Sequence, residues 1–256
     1  MSDHDKDFTG QRVLVTGGTR GMGEATAKRF ATAGARVLVA ARSAPPEDFP
    51  ATFIAADLST ETGVTELGRR VIDEVGGIDI LINNAGLASE LAPTLQASDE
   101  NWTATLAMNL LSAVRLDRLL VPGMVDRGSG VVVHVSSVLS RQPQTGQVTY
   151  AAAKAALNVY SRQLATEVGP HGVRVLCVIP GFINTPGSSA FVQKMAESQG
   201  VGVDQLMSGL SGQLGPLGQI GQPDDIAEMI AFLASPRAKY LTGAQFRVDG
   251  GLLPVV

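Results

Sequence analysis

Short runs of aliphatic and β-branched residues alternate along this chain with longer stretches whose apolar positions recur every three to four residues. RVLVT (12–16), RVLVAA (36–41), ATFIAAD (51–57), IDILINN (78–84), GVVVHVSS (130–137), VRVLCVIP (173–180) and AQFRVDGG (244–251) read as strands. Helices are predicted at 21–34, 62–76, 99 to about 121, 148–168 and 223–235. Gly34 ends the first, and a proline followed by acids opens the last. From Asp99 onward, Trp102, Leu106, Leu110, Ala113, Val114 and Leu120 keep mostly helical spacing. Strands that are apolar throughout are buried on both faces, so the sheet is parallel and helices cover both sides. Right-handed crossovers then give an α/β, Rossmann-like, doubly wound fold of mainly seven parallel strands. No linker and no repeat divides the pattern. A single domain over 1–256 is expected, with 1–10 as a flexible tail.

The stretch 185–218 departs from the alternation. It carries Gly187, Gly200, Gly202, Gly209, Gly212, Gly215 and Gly218 among Phe191, Met195, Met207, Leu210 and Leu214. It follows a strand and so lies over the carboxyl edge of the sheet, where ligands bind in such folds. It reads as a mobile apolar lid, with an ordered helical excursion as the alternative. Met195, Met207 or the Ser188–Ser189 pair could touch a substrate there.

With 256 residues, 45% of them hydrophobic and 17% charged, the chain can bury a substantial core and is not disordered. A net charge of -4 with no basic run excludes a nucleic-acid partner. No apolar run approaches the ~20 residues that span a bilayer. The start, MSDHDKDFTGQ, lacks the cationic and apolar regions of a secretory signal. Cys177 has no partner for an internal disulfide and sits within a strand, so a cytoplasmic setting is the default. His4, His134 and His171 are scattered and give no metal-ligand spacing; His134, among valines, reads as a satisfied core residue.

Between the first strand and the first helix lies TGGTRGMG (16–23). Gly17, Gly21 and Gly23, with Thr19 and Met22 between them, make a tight turn that lets backbone approach a pyrophosphate at a helix N-terminus. An acid at the end of the second strand would accept hydrogen bonds from a ribose 2′-hydroxyl, as NAD binding needs. This chain has Arg42 and Ser43 there, and Arg20 in the turn. Two guanidinium groups suit a 2′-phosphate, so NADP(H) is favoured over NAD(H).

Tyr150 and Lys154, four apart, place a phenol and an ammonium on one helix face. A nearby cation favours phenolate, so the tyrosine should titrate below its usual value of about 10. Such a phenol exchanges a proton with a carbonyl or alcohol oxygen. A serine hydroxyl from the preceding strand can bond the same oxygen. Ser136 and Ser137 compete for that role, since adjacent strand residues face opposite sides.

Taken together, these segments resemble the short-chain dehydrogenase/reductase family in its branch of roughly 250 residues, over nearly the whole chain. TGGTRGMG is similar to the family's T-G-x-x-x-G-x-G, and Tyr150 and Lys154 match its Y-x-x-x-K. The resemblance picks Ser137 as the catalytic serine and Asn109 as the asparagine completing the tetrad, where it would hold a water linking Lys154 to solvent. It implies that Asn83, Asn84, Ala85 and Gly86 (the family's N-N-A-G) support the adenosine pocket. Asp57, with Leu58 beside it, would contact the adenine. Pro180 and Gly181 match its P-G, and Thr185 with the Ile183 backbone would bind the nicotinamide carboxamide. Lys154 would also hold the nicotinamide ribose. The activity implied is hydride transfer between nicotinamide and a ketone or secondary alcohol, with Tyr150 as general acid or base.

The apolar lid and the lack of a basic clamp point to a small-to-medium, largely apolar substrate. The alternatives are an NAD(H)-dependent alcohol dehydrogenase of the same family and a non-catalytic dinucleotide-binding regulator, which would be expected to lack Tyr150 or Lys154. An enoyl-thioester reductase wants a wider Tyr–Lys spacing. In the helix 148–168, Ala152, Ala156 and Val159 lie beside the stripe of Leu157, Tyr160, Leu164 and Val168. A helix apolar nearly all round is buried on both sides. A homo-oligomer follows, and the resemblance implies a dimer or a tetramer, with the tetramer favoured.

Overall fold

A computed structural model describes residues 7–206 and 214–254. Seven parallel strands form one sheet in the order β3-β2-β1-β4-β5-β6-β7. They are β1 (Arg12–Thr16), β2 (Arg36–Ala41), β3 (Thr52–Ala55), β4 (Ile80–Asn83), β5 (Gly130–Val135), β6 (Val173–Pro180) and β7 (Gln245–Val248). The order reverses between β1 and β4, so the crevice beyond their carboxyl ends is the ligand-binding edge of such a sheet.

Both faces are dry, which accounts for the uninterrupted apolar runs. Val13, Val15, Val37, Val39, Ile80 and Ile82 point to one side, against Phe30 of α1 (Gly21–Thr32) and Ile226, Ile230 and Leu233 of α7 (Pro223–Ala234). Leu14, Leu38, Leu81 and Val132 point to the other. There they meet Val64, Leu67 and Val71 of α2 (Glu61–Val75), Leu116 and Met124 of α4 (Ser112–Arg127), and Val168 of α5 (Val148–Val168). Each such side chain contributes roughly 1.5–3 kcal/mol by leaving water. α2 is bounded as its sequence suggests: the Thr60 hydroxyl accepts from Gly63 N, and Gly76 takes the left-handed conformation at the other end (φ 71°).

Several expectations are corrected. Residues 7–10 are not a loose tail: Phe8 is buried, its ring meets Phe30 edge-on at 4.7 Å, and its N–H donates to Ala33 O. His4 and residues 1–6 lie outside the described residues. The helix expected over 99 to 121 is interrupted and longer. α3 (Asp99–Leu106) passes through one wide π turn (Ala107–Leu111) into α4, which continues beyond Pro122 to Arg127. Fully buried Met124 extends the apolar stripe past the proline, and Gly128, at φ 69°, ends it. The strands β3, β4 and β7 begin and end inside their expected runs, and β5 ends two residues early, at Val135. Part of the expected lid is an ordered helix, α6 (Pro186–Gln199); Met207, Gly209, Leu210 and Gly212 lie outside the described residues. No helix among the described residues is long and apolar enough to cross a membrane.

Behind the carboxyl edge, the core holds a polar cluster. Asn83 Nδ2 donates to Asp117 at 2.8 Å, and the other Asp117 oxygen lies 2.9 Å from His134 Nε2. His134 Nδ1 is 3.0 Å from Ser161 Oγ. His134 is thus the satisfied core histidine that its valine neighbours suggest. These bonds tie β4, β5, α4 and α5 together. Asp117→Ala leaves two buried donors unpaired, and urea denaturation should show a loss of roughly 3 kcal/mol. A loss below about 1 kcal/mol would mean that the cluster is not a structural tie.

Candidate active site

Two turns meet at the crevice between β1 and β4. The Thr16 hydroxyl, closing β1, donates to Ile82 O at 3.2 Å and accepts from Asn84 N and Ala85 N at 3.0 Å each. Asn84 Nδ2 returns to Thr16 O at 2.9 Å and Gly17 O at 3.3 Å. The glycine turn and the Asn84–Gly86 segment are therefore one rigid unit. Only hydrogen fits at Gly23, where a Cβ would run into Gly17 O and Asn84 Nδ2. Gly17 and Gly21 adopt φ of 63° and 56°, which side chains disfavour. The N-cap of α1, Arg20, caps with no side chain, so the first N–H groups of this helix face the crevice uncapped. A bare glycine cradle before an uncapped helix start fits a pyrophosphate.

At the outer end, Arg20 and Arg42 are exposed, and neither guanidinium has a hydrogen-bond or salt-bridge partner among the described residues. Asp57 accepts from Ser59 N at 3.0 Å and Ser59 Oγ at 2.7 Å. Those bonds, with a smaller contribution from Arg42, hold its carboxyl below the usual range. Ser43 is exposed, Thr19 and Ala85 half-buried, and Met22 packs against the core. Two expected cofactor residues turn away: the Asn83 side chain is bonded to Asp117, and Leu58 is buried under α2. Each can offer only backbone, since the motif marks a chain path rather than a side-chain contact.

Lys154 on α5 is 3% exposed, and its Nζ donates to Val135 O at 2.8 Å. Ser136 is the inward serine, donating to Lys154 O at 3.3 Å. Ser137 faces the opposite way. Its Oγ accepts from Leu139 N at 3.2 Å, opening a 3-10 turn (Val138–Ser140), and lies near enough to the Tyr150 phenol to favour its ionised form. The expected fall in the tyrosine's pKa is not found. Burial pushes the Tyr150 phenol above its ordinary value, and only the Ser137 contact opposes this. The ammonium lies 5.8 Å from the ring centre with its head bonded to Val135, too far to offset the lost water. Burial lowers Lys154 itself to about 8.

Asn109 sits on the π turn, 1% exposed. Its Nδ2 donates to Leu87 O at 2.9 Å and Thr105 O at 3.1 Å, and its Oδ1 accepts from Leu87 N at 3.1 Å. Both ends of the amide are committed to holding the segment after Asn84. A water linking Lys154 to solvent would have to be held by the Asn109 main chain. Gly86 runs between the two: a Cβ there would lie 3.0 Å from Asn109 Oδ1 and 3.5 Å from Lys154 Nζ.

Across the crevice, Pro180 ends β6, and Gly181 passes so close to β7 that a Cβ would lie 2.7 Å from Asp249 Cα. Ile183 is buried and bridges to Gly221. Thr185 caps α6 and borders the glycine turn, its Cβ 3.3 Å from where a Gly21 Cβ would be. Ser188 completes that cap, its Oγ accepting from Thr185 N at 2.9 Å, so it is a structural residue and not a substrate contact. Ser189 is exposed and Met195 half-buried. The sequence reading missed three contributors. Thr16 was legible as the hydroxyl closing β1, whereas the Leu87 and Val135 backbone groups carry no sequence signal.

A family profile described as enoyl-(acyl carrier protein) reductase matches residues 16–253. The chain is 33% identical to a 3-oxoacyl-(acyl-carrier-protein) reductase of Vibrio cholerae, over 96% of this chain and 98% of that protein. It is 36% identical to the short-chain reductase NovJ of Streptomyces niveus, over 93% and 92%. Among solved structures, L-sorbose reductase of Gluconobacter frateurii, complexed with NADPH and L-sorbose, superimposes with a TM-score of 0.90 at 33% identity. That match covers 98% of this chain and 100% of that one.

Lys154 gives a test of the site's energetics. An amine whose pKa falls on folding destabilises the fold while charged, fully below about pH 8, and the penalty fades as pH rises toward the ordinary 10.5. Lys154→Met should therefore raise stability at pH 7, by at most on the order of 3 kcal/mol. Wild-type stability, but not that of the variant, should climb between pH 8 and 10 in denaturant titrations. A variant less stable than wild type at pH 7 would refute this.

Proposed function

The chain belongs to the short-chain dehydrogenase/reductase family, and we propose that within it this protein is an NADP(H)-dependent oxidoreductase acting on a ketone or secondary alcohol. The observation that carries the reading is the Ser137–Tyr150 hydroxyl pair beside a buried Lys154 at the crevice where two glycine-bearing turns meet. Bound there, the dinucleotide supplies or accepts the hydride. In the reducing direction, Tyr150 gives its proton to the carbonyl oxygen as that oxygen becomes an alcohol. The Ser137 hydroxyl, beside the phenol, can turn its hydrogen to the same oxygen. Lys154, one helical turn from Tyr150, favours the ionised phenol at the moment the proton leaves. Desolvation keeps the tyrosine protonated until then.

The free Arg20 and Arg42 guanidinium groups support NADP(H), since a 2′-phosphate gives two cations an acceptor. The NADPH complex of the sorbose reductase supports the same choice. Beside Asn109 and the loop before α5, Leu87 and Leu91 are exposed, and the Leu91 segment packs on Gly146, where Ala92 N donates to Gly146 O. That rim suits a small-to-medium, largely apolar carbonyl compound. A 3-oxoacyl thioester is a second candidate within the class, favoured by the Vibrio cholerae relative. The Tyr–Lys spacing speaks against enoyl reduction despite the profile's description. The reading places the protein in the cytoplasm, as a single domain.

The test is NADPH consumption with a 3-oxoacyl thioester, L-sorbose and levodione. Tyr150→Phe should lose at least a hundredfold in kcat. Arg20→Ala with Arg42→Ala should raise the KM for NADPH about tenfold or more, leaving that for NADH unchanged. Full turnover in Tyr150→Phe would overturn the tyrosine's role as proton donor, a wild type that consumes NADPH with none of the three would sink the reductase reading, and faster rates with NADH would sink the cofactor choice.

The exposed face of α5 supports a homotetramer. Val159 is 72% exposed there, with Ala152 and Ala156 on the same face and Leu111 of the π turn 37% exposed. Light scattering at micromolar concentration should give about four times 26.6 kDa, and Val159→Glu should lower it. A monomeric wild type would refute the assembly.

A further inference from the structure

A second set of contacts joins the Tyr–Lys helix to the serine turn. Asn158 lies one turn beyond Lys154 on α5 and is 7% exposed. Its Nδ2 donates to Ser140 Oγ at 2.8 Å, and the Ser140 hydroxyl donates in turn to Ser137 O at 2.6 Å. On its other side, the Cys177 thiol of β6 donates to Asn158 Oδ1 at 3.4 Å. The direction of each bond is forced. An amide nitrogen only donates, so Ser140 keeps its own hydrogen for the Ser137 carbonyl, while Oδ1 can only accept. Burial holds Cys177 as a thiol, pushed up to about 12, so it has a hydrogen to give. The chain of bonds runs one way, from β6 through α5 to the residue whose hydroxyl meets Tyr150.

We propose that Asn158 is a positioning residue for the carbonyl-reduction step: through Ser140 it fixes the turn that begins at Ser137 to the helix carrying Tyr150 and Lys154. The inference rests on the reductase reading above. The turn Val138–Ser140 is a single 3-10 turn, and Val138 is its buried side chain, with Leu139 and Ser140 half-exposed. Ser137 Oγ is itself the cap of that turn, through Leu139 N, so a rotation of the turn re-aims the hydroxyl. Lys154 to Val135 and Ser136 to Lys154 anchor the strand end before Ser137, whereas the Asn158 bond anchors the chain after it. The serine is gripped on both sides. A residue at 158 without a side-chain N–H removes the tie between the turn and α5, leaving the far side to the packing of Val138 and the Arg141–Gln245 bond, and leaves the Cys177 thiol only its longer bond to Val178 O at 3.8 Å. Misplacing a reacting group by about 1 Å costs up to a hundredfold.

The experiment is a double-mutant cycle on full-length protein. It is read with whichever of the 3-oxoacyl thioester, L-sorbose or levodione the wild type reduces. Asn158→Leu removes both amide bonds at similar volume. Ser140→Ala cuts the same chain from a half-exposed site, and carries the test if the first variant fails to fold. Each should lower kcat roughly tenfold or more, with the KM for NADPH unchanged. In a Ser137→Ala background neither should cost anything further, because the hydroxyl being aimed is gone. An equal loss in both backgrounds, or an unchanged kcat in both variants, overturns the inference while leaving the reductase reading intact. A wild type that reduces none of the three, with no change on Tyr150→Phe, sinks that reading and this inference with it.

Discussion

A lysine whose one hydrogen-bond acceptor is a backbone carbonyl sits beneath the surface at the sheet's carboxyl edge, and the rest of the site is arranged around it. Lys154 Nζ holds Val135 O, and no carboxylate figures among the groups that shift it; burial alone moves it down to about 8. Such a group is costly to the fold, and the cost is tolerated where function needs it. The same burial raises Tyr150. Two neighbouring groups are thus each pressed toward their neutral forms. A proton lost by the phenol therefore leaves an anion in a medium where the nearby ammonium counts for more than it would in water. The pair is poised by desolvation rather than by simple attraction.

The doubly wound sheet delivers these groups to one place. Strands apolar on both faces end in residues that cannot stay in the ladder, and those ends become the site. β1 ends in Thr16, whose hydroxyl grips the segment after β4, and β5 ends at Val135, whose carbonyl takes the lysine. Buried polar side chains behind the edge hold the strands in register with the helices. Asp117 takes Asn83 and His134, joining the elements that bear the asparagine, the serine and the tyrosine. Asn109 does the same for the loop through Leu87, from a π turn that rotates its side chain out of ordinary helical phase.

The sheet, its parallel sense and the positions of the glycine turn and the Tyr–Lys helix were legible because each rests on a local pattern: runs of valine and leucine, a glycine spacing, a four-residue interval. What was not legible depended on partners distant in the chain. Phe8 looked like part of a polar tail, yet its ring meets Phe30. Pro122 looked like a helix end, but Met124 beyond it is fully buried and carries the helix on. Asn83 was expected to support the adenosine pocket along with the rest of its motif, but its side chain turns toward Asp117. The tyrosine's pKa was misjudged because a four-residue interval shows that a cation is near but not how much water both groups have lost.

The two ends of the crevice are built on opposite principles. At the glycine turn there is no room to spare: Gly23 admits no side chain, and across the crevice Gly181 is pressed against Asp249, just past β7, so backbone alone lines the cradle. At the outer end, Arg20 and Arg42 are exposed, with no hydrogen-bond or salt-bridge partner among the described residues. On the reading proposed above, the rigid inner cradle would fix where the reactive ring of a dinucleotide falls relative to Tyr150, and the long flexible cations at the rim would tune which dinucleotide is accepted without disturbing that placement. Selectivity at the rim would then change by exchanging one or two exposed residues, whereas a change at the cradle would move the hydride donor away from the proposed proton donor and cost the reaction itself.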